Sequence, residues 1–224
     1  MKTSLTHRPG VRLAGLFCIC MFAASSAWAT VVTWNLNPAG LEAPVGSTNH
    51  TFIQMGYSIT AYGYTTGTPN TPLGLYYKNQ GFDETGLGIV GPSDHELQAV
   101  NQQFIQFDLN SILSQGFTNG QLEIGSVQVG EQFRLYGSNT IGTLGTQLGG
   151  TFGSSSDLVF VNIPSFGTYN FISVAACYGD ALPVAFQATI NPVPEVGALF
   201  PIVGLMAAVG CTHWLRRRRS AQLA

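Results

Sequence analysis

Residues 30–193 read as an all-β domain, a single β-sandwich of the jelly-roll type, and three observations predict it. Apolar residues recur in short segments of alternating polarity. Gly, Asn, Ser and Pro interrupt the chain between those segments. No stretch keeps the 3.6-residue period of a helix beyond a turn or two. The interval holds 164 residues, enough for one hydrophobic core and short for two.

The strand candidates, in chain order, are 31–36, 51–64, 73–78, 104–109, 121–129, 132–136, 158–163, 169–176 and 184–190. In 104–109, Ile105, Phe107 and Leu109 share one face while Gln106 and Asp108 share the other, the period of a half-buried strand. Phe133 with Leu135 and Phe171 with Ser173 repeat the alternation, and 109–115 reads as a short helical turn. About nine short strands fit a two-sheet sandwich better than a barrel or a repeat array. The Gly- and Thr-rich stretches 62–71 and 137–153 are expected as loops inside this domain, because strand-like segments resume on both sides of each.

The ends of the chain carry a different pattern. Lys2, Arg8 and Arg12 precede an apolar run at 13–24, and Ala27-Trp28-Ala29 precede Thr30. This is the layout of a signal peptide over 1–29: positive charge, an apolar stretch shorter than the roughly 20 residues of a membrane span, then small residues for a peptidase pocket. Cleavage is expected after Ala29. At the other end, 196–215 is uncharged over 20 residues and is followed at once by Arg216, Arg217, Arg218 and Arg219. Its length suits a transmembrane helix, and the arginines hold that end in the cytoplasm, with the preceding domain outside. Immediately before the span stand Pro192, Val193, Pro194 and Glu195.

That order of parts resembles the PEP-CTERM sorting signal of Gram-negative bacteria: a short Pro-Glu-Pro-like motif at 192–196, a membrane helix at 196–215 and a basic tail at 216–219. Val196 stands where the usual motif has its second Pro. The resemblance implies processing by an exosortase-like enzyme. It further implies an inner-membrane-anchored state with the domain at 30–190 outside, then delivery to the cell envelope, surface or medium, in an exopolysaccharide or biofilm setting. A structural or adhesive role follows from the same resemblance, with exopolysaccharide as the implied partner. The phrase from Leu135 to Gly145, LYGSNTIGTLG, is similar to a strand-and-turn phrase in other ectodomains with this tail, and distantly to galactose-binding-like jelly rolls.

Seven of the nine basic residues lie in the two end segments, leaving Lys78 and Arg134 against ten acids in 30–193, a formal charge of −8. Such a surface repels phosphate, so nucleic acid is excluded as a partner. Cys177 is the domain's single cysteine; it has no partner for an internal disulfide and sits in an apolar segment, so it is expected as a small buried hydrophobe.

The sharpest polar constellation is Asp83 and Glu84, then Asp94, His95 and Glu96. Grouped hard oxygen ligands on loop-like sequence suit calcium, so Asp83, Glu84, Asp94 and Glu96 are candidate ligands; the competing reading is a solvated acidic loop. The spacing is not that of an EF-hand. Asp94 and Glu96, two apart on one side of a strand, have the residue types of a glycosidase acid and base, yet nothing else singles them out. No Gly-x-Ser-x-Gly elbow, zinc-ligand spacing or phosphate loop is present in 30–193, so no catalytic residue is assigned and no enzyme is expected. Sugar rings stack on flat exposed side chains, which makes Tyr62 and Tyr64 candidate glycan-binding residues, while Tyr57 and Tyr76 are expected to face the core. A carbohydrate-binding module with a structural calcium ion is the alternative reading of the domain, and a glycan-active hydrolase a more distant one.

Overall fold

The computed structural model describes residues 29–191, apart from 68, 82, 83 and 92, together with 204–206, 208–210, 212 and 213. The first strand, β1 (Thr30–Asn35), and the two-residue β2 (Ala43–Pro44) lead into a hairpin of β3 (Asn49–Gln54) and β4 (Tyr57–Thr65). Then come β5 (Thr71–Leu73), β6 (Leu75–Asn79), β7 (Thr85–Ile89), β8 (Leu97–Gln98) and β9 (Gln103–Asp108). One helical turn, α1 (Asn110–Leu113), separates these from β10 (Phe117–Gly125), β11 (Gln132–Ser138) and β12 (Thr146–Gly153). A 3-10 turn, Ser154–Ser156, precedes β13 (Val159–Asn162), β14 (Phe171–Tyr178) and β15 (Asp180–Ile190).

The protein is all-β, and the strand ladders are antiparallel. One sheet has the order β1-β15-β10-β13, with β8 also on β15; a second has the order β12-β11-β14-β9-β4-β3, with β5 also on β4; a third is β2-β6-β7. A single apolar core lies between the first two. It takes Trp34 from β1, Leu122 from β10 and Phe186 from β15 on one side, and Ile59, Phe107 and Leu135 on the other. Phe107 and Phe186 meet across it with ring centroids 6.0 Å apart. Each fully buried side chain of this size contributes about 1.5–3 kcal/mol, which a domain without a disulfide depends on. The third sheet adds Leu75, Leu87 and Ile89 to the same core.

Several expectations from the sequence change. The expected strand at 51–64 is two strands, because Met55 and Gly56 both take positive φ, 52° and 82°, and close a two-residue hairpin between Gln54 and Tyr57. The stretch 137–153 is not all loop: 146–153 forms β12, paired with β11. Only Leu148 of this edge strand is buried, so its sequence lacks an apolar alternation. β7 was also absent from the expected strands, since Thr-Gly-Leu-Gly-Ile reads as a turn. Finally, β9 is not half-buried. Phe104 and Gln106 on its outer face are as inaccessible as Ile105 and Phe107 on the inner one.

Beyond Ile190, residues 204–206, 208–210, 212 and 213 are helical. No helix among the described residues is long and apolar enough to cross a membrane. The signal peptide, apart from Ala29, and the motif at 192–196, most of the span at 196–215 and the arginines at 216–219 lie outside the described residues.

Gly88 in β7 lies against the backbone at His95, whose carbonyl accepts the Ile89 N–H at 3.1 Å. A Cβ on Gly88 would come within 1.6 Å of that carbonyl oxygen, and His95 itself already holds a φ of 60°. Gly88→Ala is therefore expected to lower stability by about 1–3 kcal/mol or more through forced backbone movement. Val90→Ala, at a half-exposed site nearby, should stay within about 0.5 kcal/mol. Urea unfolding midpoints compare the two directly.

Candidate functional site

Two polar arrangements stand apart from the core. The first is on the outer face of the seven-stranded sheet, where strand register sets two rows of side chains across four strands. Tyr62, Gln106, Ser173 and Tyr136 form one row; Tyr64, Phe104, Ala175 and Arg134 form the next. The Tyr64 ring stacks on Phe104 at 5.2 Å, and Tyr62 lies 6.5 Å from Tyr64, nearly parallel to it. This is a second, smaller apolar cluster outside the sandwich core.

The loop after β11 folds down over these rows, and Gln106 fastens it. The side-chain oxygen of Gln106 accepts the Gly142 N–H at 2.7 Å, and its amide group donates to the Thr143 carbonyl at 2.8 Å. Asn70 holds the loop from the other side, donating to the Gly142 carbonyl at 2.8 Å while accepting the Gly67 N–H at 2.7 Å. Between the loop and residues 67–70 lies an open cavity of about 500 Å³, lined by Tyr64, Gly67, Pro69, Asn70, Gly142 and their neighbours Ile141 and Thr143. No charged side chain lines it among the described residues. Burial raises the hydroxyl pKa of Tyr62 and Tyr64; Asp108 adds to it at Tyr62, and Tyr62 adds to it at Tyr64. Both therefore stay neutral hydrogen-bond donors well past neutral pH. The expected exposed ladder is corrected in one respect: Tyr62 is half-buried and Tyr64 is buried, because the loop covers it.

The second arrangement is a buried ionic cluster where the three-stranded sheet meets the rest. β6 turns Lys78 inward, leaving it 2 % exposed. Its ammonium donates to Glu96 and pairs with Glu84 at 2.9 Å. Glu96, itself 3 % exposed, also accepts from the Ser126 hydroxyl at 2.8 Å. Burial works against every charge here. At Lys78 burial alone would lower the pKa, but two carboxylate hydrogen bonds outweigh it and hold the ammonium above its ordinary value. Glu96 must share that single cation with Glu84 and lies near Asp94, so burial leaves its carboxyl above the usual carboxylate range.

Of the expected calcium ligands, Asp83 lies outside the described residues, Glu84 and Glu96 turn to Lys78, and Asp94 accepts from the Gln98 side chain at 2.6 Å and the Glu96 N–H at 3.2 Å. No group of three or more His, Cys, Asp and Glu side chains is placed to hold a metal ion among the described residues. Asp94 and Glu96 do not share a strand face; both precede β8. His95 between them stacks on Tyr76, with centroids 3.7 Å apart, and its buried Nδ1 has no hydrogen-bond partner among the described residues. Cys177 is half-buried rather than buried. Tyr57 packs partly buried on the main core, whereas Tyr76 is buried on the opposite face of β6, the Lys78 face, against His95, and belongs to neither apolar cluster. The residue that sequence reasoning missed is Lys78. Its signal was available: it is the one lysine of 30–193 and ends the apolar run Leu75-Tyr76-Tyr77, six residues before Glu84. Comparisons with protein-family models, curated proteins and solved structures gave no match.

Lys78→Met strands the Glu96 charge under the sheet and is expected to cost about 3–5 kcal/mol, most of it recovered when Glu96→Leu is added. Calcium, added to the wild-type protein, should leave the melting temperature unchanged, because Glu84 and Glu96 are turned to Lys78 and Asp94 to Gln98, which leaves no open cage of oxygen ligands among the described residues.

Glu96, Glu123 and Asp180 are each held above the ordinary carboxyl range, first by burial. Near the ordinary values, 4.5 for Glu and 3.8 for Asp, the native state keeps protons that the unfolded chain has released. Stability therefore falls as pH rises from there through the native values, in the same sense as the self-repulsion of a −8 domain. The urea midpoint is expected to be higher at about pH 4.5 than at about pH 7.5.

Proposed function

We propose that this chain is an exported protein of the cell surface or extracellular matrix, sorted by an exosortase-like enzyme, with a structural or adhesive role among exopolysaccharides. One observation carries the reading. β1 begins at Thr30, directly after the expected cleavage at Ala29, and β15 ends at Ile190, one residue short of the motif at Pro192–Glu195; Thr30 and Ile190 are paired neighbours. The folded body thus fills the interval between the two terminal signals, and both its ends leave from one place.

The strand pairings support the finer reading of the fold as a jelly roll; the flanking signal peptide and C-terminal transmembrane helix rest on the sequence of the two ends. Taking β1 and then β9 to β15 as eight strands in chain order, the first pairs with the eighth, the second with the seventh, the third with the sixth and the fourth with the fifth. This is the rolled-up hairpin of a jelly roll, with β2 to β8 inserted after its first strand. The hydrolase reading of Asp94 and Glu96 is disfavoured by their partners: Glu96 is buried against Lys78 and Asp94 is engaged by Gln98.

The processing step is tested by intact mass of the protein recovered from its native producer. A species starting at Thr30 and lacking Arg216 to Arg219 is expected; a mature form that keeps those arginines would sink the sorting proposal.

The second reading, a carbohydrate-binding module, is favoured by the aromatic rows and the uncharged cavity beside Tyr64. The cavity has the size of a small-ligand pocket, and a neutral sugar fits its neutral lining. On a glycan array that includes the producer's own polysaccharide, Tyr62→Ala with Tyr64→Ala should weaken binding by about tenfold or more, equivalent to about 1.4 kcal/mol. Equal binding by wild type and variant removes this reading and leaves the sorting proposal standing.

A further inference from the structure

The rim of the sandwich formed by β1 and β3 is an edge without the usual protection. Native sheets guard free edges with charged side chains, Pro or bulges, because unpaired N–H and C=O groups template pairing with another chain. β1 (TVVTWN) and β3 (NHTFIQ) contain none of these, and β4 behind β3 has no charge either. A groove of about 340 Å³ runs between the two edges, lined by Thr33 to Asn35 of β1, His50 to Gln54 of β3 and, outside both strands, Pro38. Ile53 is 71 % exposed beside it.

The direction of the free backbone groups in β3 follows from two bonds. The Thr48 carbonyl accepts from Gly63 of β4, at 3.0 Å, whereas the Ser47 carbonyl points the other way and accepts from Leu75. Even-numbered residues of β3 therefore spend their backbone groups on β4, and Asn49, Thr51 and Ile53 turn theirs outward. The Asn49 carbonyl is taken by the Ser47 hydroxyl. Thr51 and Ile53, without outward backbone partners among the described residues, remain with free donors and acceptors two residues apart, a self-complementary set.

We propose that a second copy of this chain docks here, β3 against β3 in antiparallel register about a twofold axis at Phe52. Thr51 of each copy then faces Ile53 of the other, and the two pairs exchange both their N–H and C=O groups. Phe52 lies opposite Phe52 in the close, non-bonded position between them. On the outer face the same register sets a Thr beside an exposed Ile in both copies, a β-branched pair of the kind that stabilises sheets. The contact is isologous, so it closes at a dimer. The two edges bring no charge to one another, although each domain carries −8, because no acid lies on β3, β4 or β1.

The test is sedimentation velocity on the full chain in detergent, with circular dichroism and melting temperature measured alongside. Thr51→Pro removes an outward N–H that the fold itself does not use, and a proline is tolerated at such an edge position. Ile53→Lys places a charge on the edge. The wild-type protein is expected to sediment with twice the protein mass of either variant, while the spectra of all three agree and both variants melt cooperatively, near the temperature the wild-type protein approaches on dilution. A wild-type protein that is monomeric throughout the micromolar range overturns the proposal, as does a dimer that survives both substitutions. If Thr51→Pro alone fails to fold, Ile53→Lys decides.

Discussion

The structure depends on its last strand. β15 runs for 11 residues between β1 and β10, and β8 pairs with its first two positions. Without it the first sheet has no centre: β1 has no partner, and β10 retains only the short β13. The first and last strands of the domain must therefore meet before the core closes over Trp34 and Phe186. Contacts of this sequence separation are slow to form, because the loop entropy is lost before any burial offsets it. Residues 30 to 179 cannot complete the sandwich until 180 to 190 have followed them. Pro183 within β15 is accommodated at a register shift opposite Ile124, where the ladder is already broken.

The ionic cluster at Lys78 does a related job for the smaller sheet. β2, β6 and β7 put Leu75, Leu87 and Ile89 into the core on one face, while on the other face two of the β7 residues are glycines that admit the backbones of His95 and Pro183. Close approach of backbones leaves little apolar surface to hold the layers together. Lys78 bridges β6 to Glu96 beside β8, and Ser126 ties the same carboxylate to the end of β10. Burying these charges adds little net stability against an apolar replacement, but an alternative docking would leave one of them unpaired. The cluster thus fixes where the sheet sits.

Much of this was legible in the sequence. β1, β9, β11, β13 and β14 were visible within one to three residues as runs of Val, Ile and Phe with alternation, because each has one face on the core. What was hidden has identifiable causes. β12 pairs by its backbone and buries one large side chain, so its sequence looks like a loop. The Met55-Gly56 turn lacks the Asn-Gly or Asp-Gly that marks such hairpins. Gln106 reads as a solvent-facing residue because the loop that buries it lies 36 residues further on, at Gly142. The acidic residues drew attention to Glu84 and Glu96 but toward an external cation; the internal one, Lys78, sits on a different strand. Tyr62 and Tyr64 were recognisable as a pair on one face, whereas the cover over Tyr64 was not.

The pairing of Thr30 with Ile190 has a mechanical consequence. A pull on the chain beyond Ile190 enters β15 along its own axis, and β15 is bonded on both sides by antiparallel neighbours. Its ladder bonds lie perpendicular to that load and resist it together, in shear. The same force drawing β1 sideways from the rim would break its bonds one after another, as a zipper opens. A tether at the C-terminal end therefore loads the sandwich in its strongest direction, and its weakest seam is the strand that begins at Thr30.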